Sequence, residues 1–283
     1  MSQRDKLDPQ KRRQGLRDNL AASALGVGEL SSDQSVYVVW PENAYPFLDR
    51  IPDLSSILGD SLPADGYLIT GSIREVAEGY ANALLVFGPA GEGAPLTTRY
   101  DKHQLVPFGE TLPFYDVFDA LGIASLSPVG GGGFIPGDGP RTVRQGRAPF
   151  APLICYEDVF PGALFPKNQR PDWLVVVTND AWFGDAAGPE QHLDIARMRA
   201  IENGLPVVRS ANTGISAVID PNGRLLQALP LYQQNRFNFS LPAKLETPLY
   251  TQLGIVPFIL FLSVCATLVL TKGPQHGIDP ATR

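Results

Sequence analysis

Three residues lying far apart in this 283-residue chain could do chemistry together: Glu42, Lys102 and Cys155. Cys155 ends the apolar run Ala151-Pro-Leu-Ile-Cys155, and the polarity changes at once to Tyr156, Glu157 and Asp158. That pattern predicts a buried strand handing a nucleophile to a sharp turn, with a short helical piece after Pro161. A thiol of pKa ~8.5 is mostly protonated at neutral pH, so a nucleophilic cysteine needs a base within hydrogen-bond reach and a cation nearby. Glu42 can take the thiol proton and later return it to a leaving group. Lys102 can favour the thiolate and hold a tetrahedral oxyanion, with the backbone N–H of Tyr156 as a second donor. Each residue also has a plainer role open to it: a buried structural cysteine, a solvated turn carboxylate, a surface lysine.

The elements that must position them are readable as β-branched and apolar runs. Strands are expected at Ser35–Trp40, Tyr67–Ile73, Ala83–Gly88, Thr97–Asp101, Phe150–Ile154 and Trp173–Thr178, then at Pro206–Arg209 and Ile215–Ile219. The run at 173–178 is apolar throughout, as a strand covered on both faces would be. Glu42, Lys102 and Cys155 each follow one of these strands. Residues 189–203 have helical spacing and meet a stop at Gly204, while Asp220-Pro-Asn-Gly223 predicts a turn. The N-terminal residues are polar and basic, mildly helical from about Pro9, and contain no apolar segment of a secretory signal. Strands alternating with helices imply an α/β fold.

Near the end, Leu253–Leu270 runs eighteen residues without a charge, between Tyr250 and Lys272. It predicts a membrane-spanning helix, with Cys265 as lipid-facing filler and 271–283 a polar tail. The net charge of −6 and a pI near 5.1 argue against nucleic acid as a partner. The two cysteines cannot build a disulfide framework, and the histidines at 103, 192 and 276 lack metal-ligand spacing, so neither metal nor cofactor is expected. His192 reads as a packed or hydrogen-bonded helix residue. Gly130–Gly133 reads as a mobile loop near the site mouth, and Trp182 and Phe183 fit either contact with an apolar substrate or core packing.

The words around the three residues, Val-Val-Trp-Pro-Glu42, Tyr-Asp-Lys102-His-Gln-Leu-Val-Pro-Phe-Gly-Glu110 and Leu-Ile-Cys155-Tyr-Glu-Asp, resemble the carbon–nitrogen hydrolase (nitrilase) superfamily. The chain is closer still to the catalytic domain of the bacterial apolipoprotein N-acyltransferase family. Further shared words are Thr178-Asn-Asp-Ala-Trp-Phe-Gly184, Gln191-His192 with Ala196-Arg-Met-Arg-Ala200, Arg209-Ser-Ala-Asn-Thr-Gly-Ile215 and Thr247-Pro-Leu-Tyr250. The resemblance implies a four-layer α-β-β-α sandwich over 35–246 with a Glu–Lys–Cys triad. It implies that Glu110 holds Lys102 and an incoming amine, that Glu157 braces the nucleophile's turn, and that Asn82 and Tyr80 back the site. It also implies a reaction. Cys155 takes an acyl group from the sn-1 ester of a phospholipid as a thioester and passes it to the α-amino group of an apolipoprotein's N-terminal diacylglyceryl-cysteine.

Such proteins sit in the bacterial inner membrane with the catalytic domain facing the periplasm, and carry several membrane helices and a strand ahead of it. This chain starts near the family's first loop, so residues 1–34 are expected to be a shortened N-terminal part, missing the first strand and leaving a sheet edge open. Leu7 stands where the family often has a functional tryptophan. The competing readings are an amidase or nitrilase on a small substrate, and an inactive truncated remnant.

Overall fold

The computed structural model describes residues 8–24, 34–115, 120, 133–184, 186–233 and 235–271. Among the described residues, nine strands form two sheets. The first holds β1 (Val36–Val39), β2 (Gly66–Val76), β3 (Gly79–Phe87) and β4 (Leu96–Asp101), side by side in that order. The second holds β5 (Phe150–Ile154), β6 (Trp173–Asn179), β7 (Val207–Asn212), β8 (Ser216–Ile219) and β9 (Leu225–Leu229). β1 runs parallel to β2, and β5, β6 and β7 run parallel to one another; the remaining neighbours are antiparallel.

Side-chain alternation along each strand assigns the layers. Leu84 and Val86 of β3, Phe150 and Ile154 of β5, and Trp173, Val175 and Val177 of β6 share a core between the two sheets. On the same strands, Ala83, Leu85 and Phe87 face outward to Leu54, Leu58, Leu16 and Leu20 of helices α1 (Pro9–Ala24) and α2 (Leu54–Ser61). Ala151, Leu153, Leu174 and Val176 face the other way, to Leu193, Ala196 and Ala200 of α3 (Gly188–Asn203). The result is the expected α-β-β-α order. Both outer faces of these strands are buried, which is why they read as continuous apolar runs.

The topology also explains the crevice. Two antiparallel reversals, β2 to β3 to β4, return β4 to the direction of β1. The C-terminal ends of β1 and β4 therefore lie at the same end of the first sheet, and these ends deliver Glu42 and Lys102.

Several expectations need correction. No helix follows Pro161; the turn is instead a 3-10 helix at Cys155–Val159, ahead of it. It forms early because the Glu157 carboxylate reaches back to the Ile154 N–H at 2.8 Å. Helix α2 and strand β9 were not foreseen. Helix α3 does end at Gly204, whose φ of 61° supplies the left-handed cap.

The span expected over 253–270 is not one helix. Gly254, at φ 58°, ends α4 (Leu249–Leu253), and α5 (Val256–Thr271) starts afresh. Sixteen residues rise about 24 Å, short of a hydrocarbon core of about 30 Å. No helix among the described residues is long and apolar enough to cross a membrane. Helix α5 is nonetheless apolar on all sides and exposed along its length. Leu7, Lys272, the polar tail and glycines 130–132 lie outside the described residues.

Candidate active site

Glu42 follows β1 at Pro41-Glu42 and is buried against β2. Gly71, within β2, makes that approach possible: the Pro41 carbonyl accepts its N–H at 3.2 Å and its own carbonyl accepts the Ala44 N–H at 3.1 Å. A Cβ on Gly71 would run into the Cα of Glu42 and the N of Asn43. Gly71→Val is therefore expected to displace Glu42 and lower turnover at least 10-fold, with a melting temperature depressed by several degrees in a thermal scan.

Lys102 follows β4 with its side chain buried, its N–H donating to the Asn82 carbonyl at 2.8 Å. The ammonium donates to Glu110, with Nζ 2.8 Å from Oε1 and 2.6 Å from Oε2. Burial opposes charge on Lys102. The fields of Cys155, Glu42 and Glu110 and the bond to Glu110 outweigh it, so its pKa is raised and it stays an ammonium. Glu110 is held in turn by the Val106 N–H at 3.0 Å. Gly133, at φ 124°, packs where a Cβ would strike the backbone of Glu110 and Thr111. Asn82, buried on β3, donates Nδ2 to Glu42 at 2.7 Å and to Glu110 at 3.1 Å, tying the two carboxylates together. Its Oδ1 is buried and has no hydrogen-bond partner among the described residues.

Cys155 leaves β5 at φ 49°, a left-handed conformation that costs a non-glycine residue about 1 kcal/mol. Glu157 braces the turn from the front. It accepts the N–H groups of Ile154 and His103 at 2.8 Å and of Gln104 at 3.3 Å, and the Tyr100 hydroxyl at 3.0 Å. Burial and then the charge of Glu157 raise the Tyr100 pKa, so it remains a phenol donor. The N–H of Tyr156 lies in the first turn of the 3-10 helix, where intrahelical carbonyls leave donors open.

Burial and the facing charge of Glu42 push the Cys155 thiol up to about 12, against the opposing pull of Lys102 and a hydrogen bond with Thr178. Glu42 and Lys102 both act on this one sulfur. The three residues expected from the sequence thus meet in one electrostatic unit, joined by Glu110, Asn82 and Glu157. Such a site holds a protonated sulfur at rest beside a carboxylate and an ammonium. It can release the thiolate in step with attack on a carbonyl.

Tyr80 is half exposed and packs edge-on against Phe47, 5.8 Å between ring centres. Trp182 is exposed, whereas Phe183 lies against His192. His192 does more than fill space: Nε2 lies 2.8 Å from Asp158, and Nδ1 lies 2.9 Å from Asp180 and 3.0 Å from Arg209 Nη2; ionised carboxylates only accept, so the imidazolium donates to both aspartates. Arg209 donates to Asp180 at 2.7 Å and sits 3.5 Å from Asp158. Sequence reasoning read His192 as packed or hydrogen-bonded but missed its three partners, and it missed Gly71; Gly133 belongs to the glycine loop read from the sequence and lies against Glu110. A glycine inside an otherwise apolar strand was the available signal for Gly71.

Burial lowers the His192 pKa, but the bonds to both aspartates outweigh it and raise the value from 6.5 to about 9. A pKa raised on folding gives stability fully present below 6.5 and lost as pH rises through 9. That amounts to about 3 kcal/mol. Urea unfolding midpoints should fall between pH 6.5 and 9, and His192→Gln should flatten that slope.

A family model described as carbon–nitrogen hydrolase matches residues 18–235. An apolipoprotein N-acyltransferase of Bradyrhizobium diazoefficiens is 42% identical over 263 residues, 89% of this chain and 48% of that one. Another, of Rhodopseudomonas palustris, is 39% identical over 250 residues, 85% of this chain and 46% of that one. The chain spans about half the length of the curated relatives it matches. Among solved structures, the CN-hydrolase superfamily protein XC1258 of Xanthomonas campestris has a TM-score of 0.56 at 20% identity, covering 80% of this chain and 83% of that one. An amidase from Nesterenkonia sp. has a TM-score of 0.54 at 19% identity, covering 80% and 82%. These two likenesses concern the fold alone.

Proposed function

The chain belongs to the carbon–nitrogen hydrolase family, and on that premise we propose that residues 35–246 are the catalytic unit of an apolipoprotein N-acyltransferase. The observation that carries this reading is the linked set Glu42–Asn82–Glu110–Lys102 facing the Cys155 sulfur.

Cys155 attacks the ester carbonyl of a phospholipid while Glu42 takes the thiol proton, and the S–C bond forms. Lys102 and the Tyr156 N–H hold the oxyanion. Collapse breaks the C–O bond, Glu42 returns the proton to the departing alkoxide, and a lysophospholipid leaves. The α-amino group of a diacylglyceryl-cysteine then attacks the thioester. Glu42 takes a proton from that amine, the C–S bond breaks, and the sulfur recovers a proton as the amide is released. The buried, unengaged Oδ1 of Asn82 suits an N–H of that amine, beside Glu110.

Two features favour a lipid over a small soluble substrate. Exposed aromatic residues stand on the loops that carry or follow the site: Phe108 beside Glu110, Phe160 after the Cys155 turn, and Trp182 after β6. The uncharged, largely apolar α5 offers a second surface for the acyl region of a bilayer. With the family resemblance, these features support a full-length protein at the bacterial inner membrane whose catalytic domain faces the periplasm.

The test is mass spectrometry of the chain after incubation in phospholipid micelles. One acyl group is expected on the peptide containing Cys155, discharged by a diacylglyceryl-cysteine peptide. Acylation elsewhere, or none, rejects the reading. Ammonia release from small amides without acyl transfer moves it to an amidase.

A further inference from the structure

Behind the nucleophile's turn lies a cluster that the acyl-transfer steps do not use. Asp158 belongs to the same 3-10 helix as Cys155, three residues on, and is fully buried. Its carboxylate accepts His192 Nε2 at 2.8 Å, while Nδ1 of the same ring donates to Asp180 at 2.9 Å. Asp180 stands just past β6 and also accepts the Thr178 hydroxyl at 2.9 Å and Arg209 at 2.7 Å. With His192 protonated, two carboxylates face two cations, and the cluster is neutral although it is wholly enclosed. Gly214 is pressed against it: a Cβ there would collide with the Asp180 carboxylate.

The cluster reaches the reacting sulfur by two indirect routes. Through Asp158 it ties the turn that holds Cys155 at φ 49°, a conformation that persists only where its surroundings over-determine it. Through Asp180 it orients Thr178, whose hydroxyl is hydrogen-bonded to the Cys155 side chain.

We propose that His192 is a positioning residue for Cys155: clamped between Asp158 and Asp180, its imidazolium locks the nucleophile's turn to the end of β6, where the Thr178 hydroxyl meets the sulfur. At rest that hydroxyl donates to Asp180 Oδ1. When the sulfur loses its proton to Glu42, the hydroxyl turns to the thiolate, since His192 still satisfies Asp180. This rests on Cys155 being the nucleophile.

The test is the pH profile of Cys155 alkylation by iodoacetamide, read in a Cys265→Ala background. The charged groups facing the sulfur, Glu42, Lys102 and Glu110, are the same in every protein compared. Thr178→Val keeps the shape and removes the hydroxyl; its profile should move about one pH unit upward, and thioester formation should slow at least 10-fold. Thr178→Ser should restore both to within about 3-fold. His192→Gln, which cannot bridge both aspartates as a cation, should slow thioester formation about 100-fold at unchanged KM for phospholipid. A Thr178→Val profile that overlays the parent overturns the inference, whether or not His192→Gln folds. If instead the parent forms no thioester, the acyl-transfer reading fails first, and the alkylation profiles still report on the clamp.

Discussion

Replacing Lys102 by methionine should lower acyl-enzyme formation by roughly 10³–10⁴-fold and weaken the fold in the same step. Its ammonium is buried against Glu110 and faces both Glu42 and the Cys155 sulfur. An oxyanion donor in a dry site is worth about 10²–10³ in rate, and here the same group also opposes the rise in the thiol pKa. Methionine fills much of the volume but leaves the buried carboxylate of Glu42 and the largely buried one of Glu110 without their cation. Breaking a buried pair from one side costs about 3–5 kcal/mol. Iodoacetamide alkylation of Cys155 should slow as well, because the thiolate loses its neighbouring positive charge. Acyl-enzyme formation within 10-fold of the parent would place Lys102 outside the reaction.

Glu42→Gln should have the opposite signature on the sulfur. The carboxylate raises the thiol pKa, so glutamine lets the thiolate form at lower pH, and alkylation at pH 8–9 should quicken several-fold. Acyl transfer should nevertheless fall by roughly 10²–10⁴, because the base that moves the proton in both half-reactions is gone. Glutamine keeps an oxygen for the Asn82 amide, now at 2.7 Å, so the fold should hold. A sulfur that alkylates faster while the enzyme turns over more slowly separates a proton-transfer role from a structural one. Loss of both together would mean that Glu42 supports the site without taking the proton.

These opposite signs come from one arrangement. Burial and Glu42 keep Cys155 a thiol, and Lys102 tempers that effect without reversing it. On the proposed acyl-transfer reading, such a sulfur is guarded at rest and released when a carbonyl is in place. A site that must exclude water from a thioester benefits from that order of events.

Much of this was legible in the chain itself. Pro41-Glu42, Asp101-Lys102 and Ile154-Cys155 each mark the point where a strand gives way to a polar turn, a local signal that short strand-forming runs carry well. Eight of the strands and α3 with its Gly204 stop follow from the same local patterning. Strands covered on both faces announce themselves as short, continuous apolar runs before any long-range contact is known.

What the chain alone left open depends on partners distant in sequence or on backbone angles. The break at Gly254 is a matter of φ and ψ, invisible to a hydropathy count, and it turns an expected span into a 16-residue helix. His192 lies on a helix where its spacing suits packing, and only the folded chain sets Asp158 and Asp180 at its two nitrogens. The left-handed Cys155, the glycine contact beneath Glu42 and the amide joining two carboxylates arise the same way. Residue identity settled which chemistry was possible; the packing of two sheets decided which groups share one low-dielectric space, where their charges set each other's protonation.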